Sequence, residues 1–101
     1  MEKYTLYEGE PLLLGKEDME LLKKAITDNL VVTDKFSRLN NSYGYKHMCE
    51  RYLGFYVSNE DLKEAMYQLG IPHRDTDKEG RYTYYPIQEE SQKKFWEVAY
   101  G

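Results

Sequence analysis

Apolar positions in this chain recur with a helical period in several places and alternate along a strand in only one or two. The clearest helical run is 59–70, where Leu62, Ala65, Met66 and Leu69 fall at i, i+3, i+4 and i+7. That spacing puts them on one stripe, with Glu60, Lys63, Glu64 and Gln68 largely off it. Ser58 and Asn59 stand where side-chain oxygens accept from the free N–H groups of a first turn, and Ser58-x-x-Asp61 has the capping-box spacing. Gly70 can take the left-handed position that closes a helix, Ile71 can fold back on the last turn, and Pro72 cannot continue it. Tyr45, Met48, Cys49 and Tyr52 repeat the same stripe one helix earlier, with Ser42 as its candidate cap and Gly54 as its stop. Phe55, Tyr56 and Val57 link the two and are expected to tuck against both. The span 41–71 thus predicts a helix-turn-helix.

On either side the pattern predicts a mostly helical α+β domain. Residues 1–15 read equally well as an N-terminal arm or as two short strands, with Tyr4-Thr5-Leu6-Tyr7 as the first. Met19, Leu22 and Ile26, with Leu21 and Ala25 beside them, predict an amphipathic helix from Lys16 or Glu17 to Thr27-Asp28-Asn29, its acidic residues at the positive end. Leu30-Val31-Val32-Thr33 is either a short buried strand or a link to another helical turn holding Phe36 and Leu39. Residues 72–87 predict a β-hairpin with its turn near Asp77-Lys78-Glu79-Gly80, since Arg81 to Tyr85 is rich in aromatic and β-branched residues. Residues 88–100 predict a C-terminal helix whose apolar end is Phe95, Trp96, Val98 and Ala99. A hairpin directly after a helix-turn-helix is the order of a winged helix.

The run Ser42-Tyr43-Gly44-Tyr45-Lys46-His47, followed by Glu50, Gly54, Tyr56-Val57-Ser58-Asn59, Ala65-Met66 and Gly70, resembles a pattern in small accessory proteins of bacterial phages, plasmids and genomic islands. The resemblance implies a mobile-element origin and a helix pair followed by a hairpin. It supplies no activity and no catalytic residues. Small proteins from that genomic setting include inhibitors of host defence, such as anti-CRISPR and anti-restriction proteins.

Length and composition narrow the classes. A chain of 101 residues is expected to form one domain, with no room for a cleft between domains. No apolar run approaches the roughly 20 residues that span a bilayer. The start MEKYTLYEGEP lacks a basic region followed by a long apolar stretch, and the single cysteine excludes an internal disulfide and a multi-cysteine zinc site. The expectation is a protein of the bacterial cytoplasm. Eleven tyrosines are the compositional outlier, and tyrosine serves both as core filler and as an interface residue.

Signals for chemistry are weak. His47 with Glu50, or His73 with Asp75, offers two ligands without a third, so no metal and no cofactor is expected. Cys49 lies on an apolar stripe, where a thiol acts as a small hydrophobe. No G-x-S-x-G, H-E-x-x-H, P-loop or G-x-G-x-x-G sequence occurs, and the chain is read as a non-enzyme.

Two binding readings compete. For DNA, Tyr43, Lys46, His47 and Arg51 gather near one helix, Arg74, Lys78 and Arg81 decorate the hairpin, and residues 30–58 carry a net charge of +2. Against it, the start of the second helix is Asn59-Glu60-Asp61 with Glu64 one turn later, and the whole chain is net −4, whereas duplex binding rests on neutralising phosphates. The favoured expectation is docking onto a host or phage protein with a basic nucleic-acid-binding surface. Its expected face is Glu60, Asp61 and Glu64, which lie off the apolar stripe, with Asp75, Asp77, Glu79, Tyr82 and Tyr84 of the hairpin.

Overall fold

The computed structural model describes residues 12–75 and 82–101. Four helices hold most of them: α1 (Lys16–Asn29), α2 (Ser42–Leu53), α3 (Asn59–Gln68) and α4 (Glu89–Tyr100). Between α3 and α4, β1 (Arg74–Asp75) pairs antiparallel with β2 (Thr83–Tyr84), Arg74 opposite Tyr84 and Asp75 opposite Thr83. The fold is therefore mostly helical α+β. Of the arm or short strands expected over 1–15, residues 12–15 form no strand, while 1–11 and the hairpin turn at 77–80 lie outside the described residues. No helix among the described residues is long and apolar enough to cross a membrane.

Local chemistry explains where the helices start and stop. At α3 the capping box is complete: Asp61 N–H donates to Ser58 Oγ at 3.0 Å, and Ser58 N–H donates back to Asp61 Oδ2 at 3.2 Å. The helix ends in a Schellman motif, with Gly70 at φ +74°, its N–H on Tyr67 O and the Ile71 N–H on Met66 O. The cap of α2 is one residue earlier than expected. Asn41 Oδ1 accepts from Tyr43 and Gly44 N–H, while Ser42, buried, uses its Oγ to accept from the Thr83 N–H at 3.1 Å. A cap residue moved into the first turn thereby joins β2 to α2.

α2 is the central helix, packed on by α1, α3, α4 and β2. The core gathers Leu22 and Ile26 from α1, Tyr45, Met48 and Cys49 from α2, Leu62, Ala65 and Met66 from α3, and Phe95 from α4, with Val57, Tyr85 and Ile87 from the connections. Tyr52 is not in it: the ring is exposed at the rim, edge-on to Phe95 at 5.3 Å. Leu21 is exposed, Leu69 is half-buried, and of the link residues Val57 is buried while Tyr56 points outward. Lys63, expected off the stripe, is 1% exposed and donates to Glu60 at 3.2 Å, because α3 is covered on more than its apolar side.

The 30–33 segment is strand-like. Val32 bridges Ile87 antiparallel, Thr33 N–H donates to Pro86 O at 2.7 Å, and Gln88 N–H donates to Val31 O at 2.8 Å. Next to it, Asn40 Nδ2 donates to Gln92 Oε1 and Gln92 Nε2 to Ile87 O, each at 2.9 Å, tying the entry of α2 to α4. The Asn40 side chain reaches this position by lying over Gly44, where a Cβ would stand 2.6 Å from its Oδ1.

Met66 is fully buried at the middle of this core. Met66→Ala is expected to cost on the order of 2–5 kcal/mol, read as a lowered denaturant midpoint with an unchanged slope. A loss below about 1 kcal/mol would mean that the site collapses freely or is not packed as described.

Candidate functional site

The first turns of α2 carry the most organised surface. Lys46 is buried, and its ammonium lies 4.4 Å from the Tyr56 ring centroid and 5.4 Å from that of Tyr43, within cation–π reach of both. Its Nζ donates to Glu50 Oε1 at 3.3 Å. Tyr43 in turn meets His47 edge-on at 4.5 Å and Tyr82, from the hairpin, at 6.1 Å. Tyr43, Tyr56 and Tyr82 are exposed, so three phenol rings stand in solvent on a base that is itself packed.

Glu50 anchors that base. It accepts from Lys46, from the Val57 N–H at 3.2 Å, and pairs with His47 Nδ1 at 3.0 Å. Burial pushes its carboxyl up, but the Val57 N–H, the Lys46 ammonium and His47 together outweigh burial and hold it below its ordinary value of 4.5. The pair His47 and Glu50 thus serves to fix the helix link. Among the described residues no group of three or more His, Cys, Asp or Glu side chains is placed to hold a metal ion. Burial, with Glu50 nearby, raises the Cys49 thiol to about 12, which leaves almost no thiolate at neutral pH.

The acidic start of α3 is not a free surface. Asp61 is 0% exposed: besides capping α3, it accepts from the Leu13 and Leu14 N–H groups at 2.9 and 3.2 Å through Oδ1, and from Ser58 Oγ at 2.8 Å through Oδ2. Its expected place on an outward docking face is corrected, because helical spacing cannot register that the chain before α1 crosses the start of α3. Glu60 is half-buried against Lys63, and Glu64, also half-buried, accepts from Gln68 Nε2 at 2.9 Å. Asp75 is exposed and accepts from Thr83 Oγ1 at 3.1 Å.

The basic candidates are largely engaged. Lys46 is internal, which corrects its expected place on a phosphate-facing surface. Arg51 lies 4.8 Å from the Tyr100 ring and Arg74 4.5 Å from Phe36, while Arg38 covers Tyr84 at 5.7 Å. Asp77, Lys78, Glu79 and Arg81 lie outside the described residues. Hence the structure joins Tyr82 from one expected face to Tyr43, Lys46 and His47 from the other. No protein-family model, curated protein or solved structure matches this chain significantly. Tyr56, missed from sequence, belongs to the same surface; its signal is a third bulky residue in a link where Phe55 and Val57 already pack against the core.

Two expected outcomes test this description. Asp61→Ala removes the acceptor for four donors and is expected to cost at least about 2 kcal/mol in chemical unfolding. A variant as stable as the parent would show that the chain before α1 is not held by Asp61. For Glu50, a folded carboxyl below 4.5 contributes stability that is full above the unfolded value and lost as pH falls through the folded one. The melting-temperature difference between the parent and Glu50→Gln is therefore expected to be constant near neutrality and to shrink below about pH 4. A difference independent of pH down to about 2 contradicts the assignment.

Proposed function

We propose that this chain is a non-catalytic protein-binding module, an inhibitor or adaptor, that docks through the Tyr43, Tyr56 and Tyr82 surface. The carrying observation is that these exposed rings are already packed, on Lys46, on His47 and on one another. Rings fixed before binding lose little freedom on docking, and tyrosines are frequent anchors of interface energy. The net charge of −4 favours encounter with a basic surface, such as the nucleic-acid channel of a nuclease or effector complex. The resemblance of the 41–71 stretch to mobile-element accessory proteins points to a partner in host defence, in the manner of anti-CRISPR proteins, and hence to the bacterial cytoplasm.

A winged helix-turn-helix that binds DNA is the second reading, supported by the order α2, α3, hairpin. It is weaker because the end of α3 that would enter a major groove holds buried Asn59 and Asp61 beside half-buried Glu60. Lys46, the central cation of the basic group, is also spent inside the fold.

The test uses the parent and a Tyr43→Ala, Tyr82→Ala variant as baits in host lysate, after melts show that both fold. The captured partner is expected to bind the variant at least about tenfold more weakly. Equal binding would remove this surface from consideration. In parallel, no sequence-specific mobility shift is expected at near-physiological salt, and a nanomolar, sequence-dependent shift would favour the DNA reading.

A further inference from the structure

α4 presents a tryptophan that the core does not use. Trp96 is 52% exposed although its neighbour Phe95 is buried, since one residue along an α-helix turns about 100°. The indole is held in place: it lies against Tyr100 with centroids 4.1 Å apart and planes 32° apart, and Arg51 is cation–π partner to Tyr100. Trp96 borders a groove of about 360 Å³ between α4 and the Leu39–Asn40 segment, and Leu39 is exposed there.

Lys93 and Glu97 line the same groove. Among the described residues neither has an ion-pair partner, although Lys94 and Glu90 at the same spacing on the same helix pair at 3.6 Å, as do Lys24 and Asp28 on α1 at 2.7 Å. These two charges are opposite in sign and symmetric about position 95. A partner of one charge sign would satisfy one and repel the other. A second α4 laid antiparallel across a two-fold axis at position 95 satisfies both: each Lys93 meets Glu97 of the other copy. With a rise of 1.5 Å per residue, the two Trp96 side chains then leave their helices about 3 Å apart along the axis, close enough for the indoles to stack.

We propose that this face of α4 is an isologous docking surface for a second copy of the chain, with Trp96 as its anchor and reciprocal Lys93–Glu97 pairs fixing its register. It shares no residue with the Tyr43 surface, so the two readings stand or fall separately.

The test is sedimentation equilibrium of the full chain from about 1 µM to about 1 mM, the range over which a small interface dissociates. Fluorescence follows in parallel, because Trp96 is the only tryptophan. The parent is expected to form dimers as concentration rises, with a blue shift of indole emission that tracks the dimer fraction. Lys93→Glu and Glu97→Lys, each alone, are expected to weaken association about tenfold or more through like-charge contact, and their equimolar mixture to recover it, because each then supplies the charge the other lacks. A parent that stays monomeric to about 1 mM overturns the proposal. So does a dimer whose emission is unchanged, a pair of variants that associate like the parent, or a mixture that stays as weak as its components.

Discussion

Everything in this fold depends on α2 being surrounded. A helix packed on by three others and by a strand is left exposed at Tyr43, Arg51 and Tyr52, and polar groups on its covered sides are stabilised where they bond inside the fold. Ser42 does so by accepting from the Thr83 backbone, and Lys46 by pairing with Glu50 beneath two tyrosine rings. Each of these bonds also joins elements far apart in sequence or closes the link to α3. The hairpin and the helix pair are thus oriented by the same requirement that buries α2.

The same logic changes how the acidity of the chain should be understood. Glu50, Glu60 and Asp61 are engaged in a link, an internal pair and a cap, so they count in the net charge without being free points of contact for a partner. The arginines are likewise laid on aromatic rings wherever they are described. A guanidinium stacked on a ring keeps its edge donors while giving up freedom of position, so the surface is stiffer than its 32% of charged residues suggests.

Helical periods and caps made the secondary structure legible: α1, the Ser58–Asp61 box, the stop at Gly70 and the presence of a hairpin all follow from spacing and residue type. Spacing reports only which residues share a face, and what lies opposite each face comes from tertiary packing. Lys63 and Asp61 were therefore read as outside when a second layer covers them. Tyr52 shares a stripe with core residues of α2 yet stands exposed, because the stripe is wider than the neighbours that cover it, and Trp96 is turned out because it stands about 100° round α4 from Phe95. The aromatic site was legible as an excess of tyrosine but not as a place, because its members come from α2, from the link and from the hairpin. Only the fold brings Tyr43, Tyr56 and Tyr82 round one lysine and one histidine.

The contact between Asn40 and Gly44 has a consequence for sequence comparison. A side chain at position 44 would displace an amide that ties two helices together, so glycine there answers to a junction between helices and not to a ligand. The Ser42-Tyr43-Gly44-Tyr45 run, the part of the chain that looks most like a signature, therefore identifies a scaffold. Chains that share it for this reason would inherit a way of holding α2 against α4 and remain free to diverge in what they bind, since the exposed rings at 43, 56 and 82 can change while the joint does not.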